Sequence, residues 1–179
     1  IRGGWDAAFS SQGAYSILDG GNALYHVMQV SNVSNVLVSG FVLRSGNANG
    51  VAPDNDGGGL HLVSVRQSIF TNLVITNNLA SSRGAGMALI AVTNTLFEGE
   101  IAYNQAAVEG GAATVSTSRG NTLNGFAHHN LSSGAAGAFY VVTTSGSNHF
   151  ALSVQSNTAV GFGGGFSLTG GNNLVSGPL

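Results

Sequence analysis

Lysine and cysteine are both missing from this chain, and charge of either sign is scarce. Without cysteine there is no disulfide framework and no thiolate metal site. The five basic residues, Arg2, Arg44, Arg66, Arg83 and Arg119, are scattered, and the formal net charge is -2. A nucleic-acid binder needs clustered cations to displace phosphate counterions, so nucleic acid is not expected as a partner. The missing lysine also removes the phosphate loop of nucleotide-hydrolysing enzymes. No complete G-x-G-x-x-G, H-E-x-x-H or G-x-S-x-G pattern occurs, which argues against three further enzyme classes. Only two prolines are present, and no run of about 18 apolar residues offers a transmembrane helix. No signal peptide is visible, and the opening "IRGGWDAAF" lacks a methionine, so the chain reads as a processed product or a piece of something longer.

What the chain has in abundance is glycine, 28 in 179 residues, and the glycines keep a period. Small triplets recur at 57–59 (GGG), 84–86 (GAG), 110–112 (GGA), 136–138 (AGA) and 163–165 (GGG). Their third members are 27, 26, 26 and 27 residues apart. Each is followed by a short alternating segment: "LHL", "MAL", "ATV", "FYV" or "FSL". The outer positions are apolar and the middle one varies (His61, Ala88, Thr114, Tyr140, Ser167), which predicts strands with one buried and one exposed face. A second marker, Asn78, Asn104, Asn130 and Asn157, repeats at 26, 26 and 27 residues. Asparagine suits tight turns, and stacked amides can bond to one another from coil to coil. Asn47 fits as an earlier copy if "VAPDND" is an insertion of about four residues. With this much glycine and β-branching, a helical repeat is disfavoured. The period predicts an all-β parallel solenoid of about six turns of 26–27 residues, spanning 27–179. Residues 1–26 form a cap or an incomplete first turn, with Trp5 and the "AAF" segment as candidates to cover the core.

"GGWDAAFSSQGAYSILDGG", "GFVLRSGNANG" and the repeated "GGG" before a short strand resemble the right-handed parallel β-helix repeats of bacterial cell-surface proteins, of the polymorphic outer-membrane and Chloroflexi types. The resemblance covers nearly the whole chain. It implies right-handed coiling, a location at the cell surface or outside it, and an adhesive or structural role. The same fold also houses polysaccharide-processing enzymes, so fold alone does not choose.

Catalysis on sugars needs convergent carboxylates. The acidic residues are Asp6, Asp19, Asp54, Asp56, Glu98, Glu100 and Glu109. Glu98 and Glu100, two apart on a strand, share a side at roughly 7 Å, which suits an acid/base pair. The alternative, which the sequence favours, has both facing solvent with Phe97 and Ile101 turned inward. "PDNDGGG" supplies Asp54, Asn55 and Asp56 as oxygen ligands for calcium, yet reads more simply as a polar turn. His128 and His129 should point to opposite faces of a strand, so at most one joins His149, short of a zinc ligand set. His61, in a middle slot, reads as a surface residue. Arg44, Arg66, Arg83 and Arg119 read as solubilising turns. Of the sequons at Asn32 and Asn130, the second is claimed by the asparagine column. Tyr140 and Phe126 fall in outward slots, where aromatic rings either stack on sugars or pack against another copy.

No catalytic, cofactor-binding or metal-binding residue is therefore assigned, and no cofactor is expected. The sequence points to a non-catalytic extracellular structural or adhesive solenoid that associates with itself into a fibre, sheath or surface layer, with cell-surface glycans as a further partner. The alternative is a polysaccharide lyase or hydrolase, or a carbohydrate-binding module.

Overall fold

The computed structural model describes residues 1–23, 25–142 and 146–178. Among them there are strands, turns and bends but no helix, so none that is long and apolar enough to cross a membrane. After β1 (Ser16–Asp19) the chain coils with a constant order of strands. The first coil holds β2 (Met28–Ser31), β3 (Leu37–Arg44) and β4 (Asn47–Ala48), and the second β5 (Leu60–Val63), β6 (Ile69–Thr76) and β7 (Leu79–Ala80). The third holds β8 (Met87–Ile90), β9 (Leu96–Ala102) and β10 (Gln105–Ala106). The fourth holds β11 (Ala113–Ser116), β12 (Thr122–His128) and β13 (Leu131–Ser132). The fifth holds β14 (Phe139–Val141), β15 (His149–Gln155) and β16 (Thr158–Ala159), and the sixth β17 (Phe166–Leu168) and β18 (Leu174–Val175). Like strands pair in parallel from coil to coil, giving sheets of seven, five and six strands. This is a parallel β-solenoid of about six turns, as the period predicted.

Each coil is closed by side chains that align in register. Phe70, Phe97, Leu123 and Phe150 form one inward column, and Leu60, Met87, Ala113, Phe139 and Phe166 another. The rings of Phe139 and Phe166 stack with centroids 5.1 Å apart. Fully burying one such large side chain contributes about 1.5–3 kcal/mol. Where the two-residue strands meet the small triplets the interior thins to alanine: Ala48, Ala80, Ala85 and Ala106.

The first member of every triplet lies in the left-handed region: Gly57, Gly84, Gly110 and Gly163, with φ of 57 to 73°, and Ala136 at 58°. These residues also fold over the next coil. A methyl group on Gly57 would sit 2.9 Å from the Cβ of Ala88, and one on Gly84 2.9 Å from Cγ2 of Thr114. The glycines are needed both for the turn and for this close approach. The same overlap corrects the expected alternation: Ala88 and Thr114, read as outward and exposed, are buried, and so is His61 in the earlier copy of the slot, against His26. Tyr140, in the next copy of the slot, is half-buried, with the Arg83 guanidinium 5.6 Å from its ring centre and Glu109 near its hydroxyl.

Asn78, Asn104, Asn130 and Asn157 form the expected column. Each of the first three donates its backbone N–H and its Nδ2 to the Oδ1 of the next, at 2.9–3.1 Å. Asn47 is not its earlier member. Asn47 aligns with Leu79, so Gly46 holds the asparagine slot and donates its N–H to Asn78 Oδ1 at 2.9 Å. A second column lies at another corner: Ser68, Thr95, Asn121, Asn148 and Asn173, again linked N–H to side-chain oxygen. The first coil spans 32 residues from Met28 to its partner Leu60, where later ones span 26 or 27, and the surplus lies in the loop after β4. At the other side of that coil, residues 1–26 add β1 to the long sheet beside β3. Trp5 and Phe9 are exposed and do not cover the core.

Candidate functional site

The long strands are bent partway along their length, and the bend makes a groove on the outside of the solenoid. Gly40, Asn72 and Gly125 have positive φ there, and the register between β6 and β9 slips between Phe70 and Leu73. Thr71 and Asn72 thus span a gap that Glu98 alone fills on β9, a bulge that turns side chains toward the concave side. At the next coils Gly99 and Gly125 face one another, and a side chain on either would strike the backbone of the preceding coil. The groove is open, about 480 Å³, and its side chains include Tyr15, Asn72, Val74, Glu98, Glu100 and Phe126.

Within it Glu98 aligns with Asn124, and Glu100 with Phe126 and Val74. Both glutamates point outward while Phe97 and Ile101 are buried. Tyr15 donates its hydroxyl to Asn72 Oδ1 at 2.8 Å, so residue 15 closes one end of the groove. Phe126 presents its ring, 60% exposed. Glu100 Oε1 is 3.0 Å from His128 Nε2. Such a surface can stack on the apolar face of a sugar ring and hydrogen-bond its hydroxyls.

His128 and His129 were expected on opposite faces. They meet instead, Nδ1 to Nδ1 at 2.9 Å, because His129 has φ 53° and leaves the strand alternation. Tyr103, one coil earlier and also at positive φ, stacks on His129. His149 is not with them: it aligns with Thr122, at the far end of the long strand, and its Nε2 is 2.6 Å from Ser176 Oγ.

The other acidic groups are engaged elsewhere. Asp6 accepts from Ser10 and Ser11, led by the Ser10 hydroxyl, and these bonds hold its carboxyl down at about 2. Asp19 accepts from the Gly21 amide and pairs with Arg44 at 2.9 Å, and both keep its pKa low. Glu109 lies 3.2 Å from Arg83. Asp56 Oδ1 accepts the backbone N–H of Arg83 at 2.8 Å, while Asp54 turns toward His26, so "DND" does not converge as one set of oxygen ligands. Arg66 and Arg119 stand on one exposed edge, with Thr93 bridging them. Asn130 is buried in its column, as the repeat required, and Asn32 is exposed.

The fold and this surface define a class: a parallel β-solenoid with a lateral, open, carboxylate- and aromatic-lined groove. Compared with protein families, with curated proteins and with solved structures, the chain shows a significant match to none.

Proposed function

We propose that this is a non-catalytic structural or adhesive solenoid of the bacterial cell exterior, of the surface-repeat kind its glycine triplets resemble, and that it associates side by side with copies of itself. The observation that carries the reading is the outer surface of the inner coils. Ile69, Leu79, Tyr103, Val108 and Phe126 are exposed there, on a chain with no lysine and few charges. Solvated charges, lysine above all, are the usual means of keeping β-surfaces apart. The engagement of five of the seven carboxylates outside the groove adds support, since it leaves Glu98 and Glu100 with no further carboxylate beside them. Sedimentation velocity and electron microscopy of the purified chain test it. Concentration-dependent association is expected, weakened at least about tenfold by a Leu79→Ser/Phe126→Ser double change, as the loss of two buried apolar side chains implies. A monodisperse monomer at every concentration overturns it.

The groove supports a second reading, a glycan-binding or glycan-processing surface, through the exposed Phe126 ring beside Glu98 and Glu100. A panel of polysaccharides assayed for binding and cleavage with wild type and Glu98→Gln/Glu100→Gln tests this. Any binding or cleavage that the double change leaves intact clears both glutamates of the role.

A further inference from the structure

The lengthened loop of the first coil does more than bridge β4 and β5. It is fastened to the second coil by the Ser82 and Arg83 amides, which donate to the Asn55 carbonyl and the Asp56 carboxylate. That anchoring holds Asp54 over the start of the third sheet, beside two histidines. His26 precedes β2 and His61 lies on β5. Their rings lie 4.2 Å apart, and His61, taken from the sequence for a surface residue, is fully buried.

Three ligand-type atoms, one each from His26, Asp54 and His61, lie within 4.8 Å of one another. No other such trio of histidine and acidic side chains is found among the described residues. His26 Nε2 is 3.0 Å from His61 Nδ1 and 3.9 Å from Asp54 Oδ1. Ligands held tetrahedrally at ~2.0–2.1 Å from zinc are about 3.3 Å apart, between those two separations. His26 Nδ1 is 2.9 Å from the Gly57 carbonyl, so that nitrogen carries the proton and Nε2 turns its lone pair to the cluster. A backbone carbonyl on the far nitrogen is the usual means of orienting a metal-binding imidazole. His61 Nδ1 then donates to that lone pair, and His61 Nε2 is left buried with no hydrogen-bond partner. Burial, followed by the neighbouring His26, lowers the His61 pKa to about 4, which keeps the ring in the neutral form metals bind.

We propose that His26, His61 and Asp54 bind one divalent transition-metal ion of the zinc class, coordinated by His26 Nε2, His61 Nδ1 and Asp54 Oδ1. The ion takes the place of the proton on His61 Nδ1, which moves to Nε2, and the remaining position is open to water. Two imidazoles and one carboxylate suit zinc, cobalt or nickel, whereas calcium prefers an all-oxygen set. The ion would clip together the approach to β2, the long loop and β5, three segments that otherwise meet only through hydrogen bonds and packing.

The test is titration of the chelator-treated full chain with Zn²⁺ by calorimetry and with Co²⁺ by visible absorption, with Ca²⁺ for comparison. One ion per chain is expected, with a Co²⁺ spectrum of low coordination number and no heat from Ca²⁺. Asp54→Asn and His61→Gln should each lower Zn²⁺ affinity at least about tenfold. His61 is buried and its variant needs a fold check by circular dichroism. Asp54 lies on a loop with its carboxylate half exposed, so Asp54→Asn carries the same expectation without that risk. His128→Ala/His129→Ala should leave the affinity unchanged. The proposal is overturned if the wild type takes up neither ion. It is equally overturned if uptake survives Asp54→Asn and His26→Gln, or vanishes with the His128/His129 pair.

Discussion

The two side-chain columns do the same work with different materials. In the Asn78–Asn157 column every rung is asparagine, and from Asn104 onward each amide both accepts from one coil and donates to carbonyls of its own and the preceding coil, as Asn104 does to Ala102 and Ile75. In the other column the first rungs are Ser68 and Thr95, and asparagine begins only at Asn121. The hydroxyl rungs supply an acceptor but no second donor across the coil. The Ser68 N–H reaches Thr95 Oγ1 at 3.4 Å, while the asparagine rungs of that column are bonded at 3.0–3.2 Å. What the corner requires is a short side chain with an oxygen for the backbone N–H one coil away. The amide adds the cross-coil bonds.

Breaking an interior rung of the all-asparagine column should have the largest effect. Asn104→Ala leaves the Asn78 N–H and Nδ2 without their acceptor in a buried corner, and it strips the bonds to Ile75 and Ala102. A loss of about 2–4 kcal/mol is expected in urea unfolding, since each buried group left unpaired costs about 1–3 kcal/mol. Completing the weaker column should act in the opposite direction. Thr95→Asn places an amide where it can donate to the Val65 carbonyl, as Asn121 does to Val92, and to Asn121 Oδ1. A gain of about 0.5–1.5 kcal/mol, one added buried hydrogen bond, is expected in the same assay. No gain would show that the slot is too tight for an amide.

The smallest effect concerns acid, which both columns should ignore because their side chains are uncharged. Asp6 is the contrast. Its folded-state pKa of about 2 lies below its ordinary value of 3.8, so its contribution is present above pH 3.8 and is lost as pH falls through about 2. The Ser10 and Ser11 amide resonances should titrate with a midpoint near 2, while those of Asn104 and Asn130 stay fixed. A midpoint near 3.8 would mean the Asp6 turn is not formed in solution.

The difference between the columns also explains what could be read from the sequence. The first was legible because one residue type repeats; the second was not, because serine, threonine and asparagine share its slot. The glycine triplets announced the coil, yet they did not reveal that Gly57 and Gly84 roof the neighbouring strand, so Thr114 and Ala88 were placed in solvent. His61 was misplaced for a different reason, since its cover is His26 from the preceding coil together with an insertion that breaks the period. His128 and His129 escaped because a single left-handed residue cancels strand alternation. The groove was half legible: Glu98, Glu100 and Phe126 were singled out, whereas Tyr15 arrives from the segment before β1 and the bulge at Asn72 is a register slip between the second and third coils.

The amide column is a one-way street. From rung to rung the bonding runs one way: each interior asparagine offers its Oδ1 toward the start of the chain and its backbone N–H, with one Nδ2 hydrogen, toward the end. Two stretches of such a coil placed with like ends together would set donor against donor or acceptor against acceptor. Joined in sequence, head to tail, they continue the bonding without a break. Any end-on contact built on these columns is therefore heterologous, with no twofold axis, and its rotation decides whether it closes into a ring or runs on as an open line.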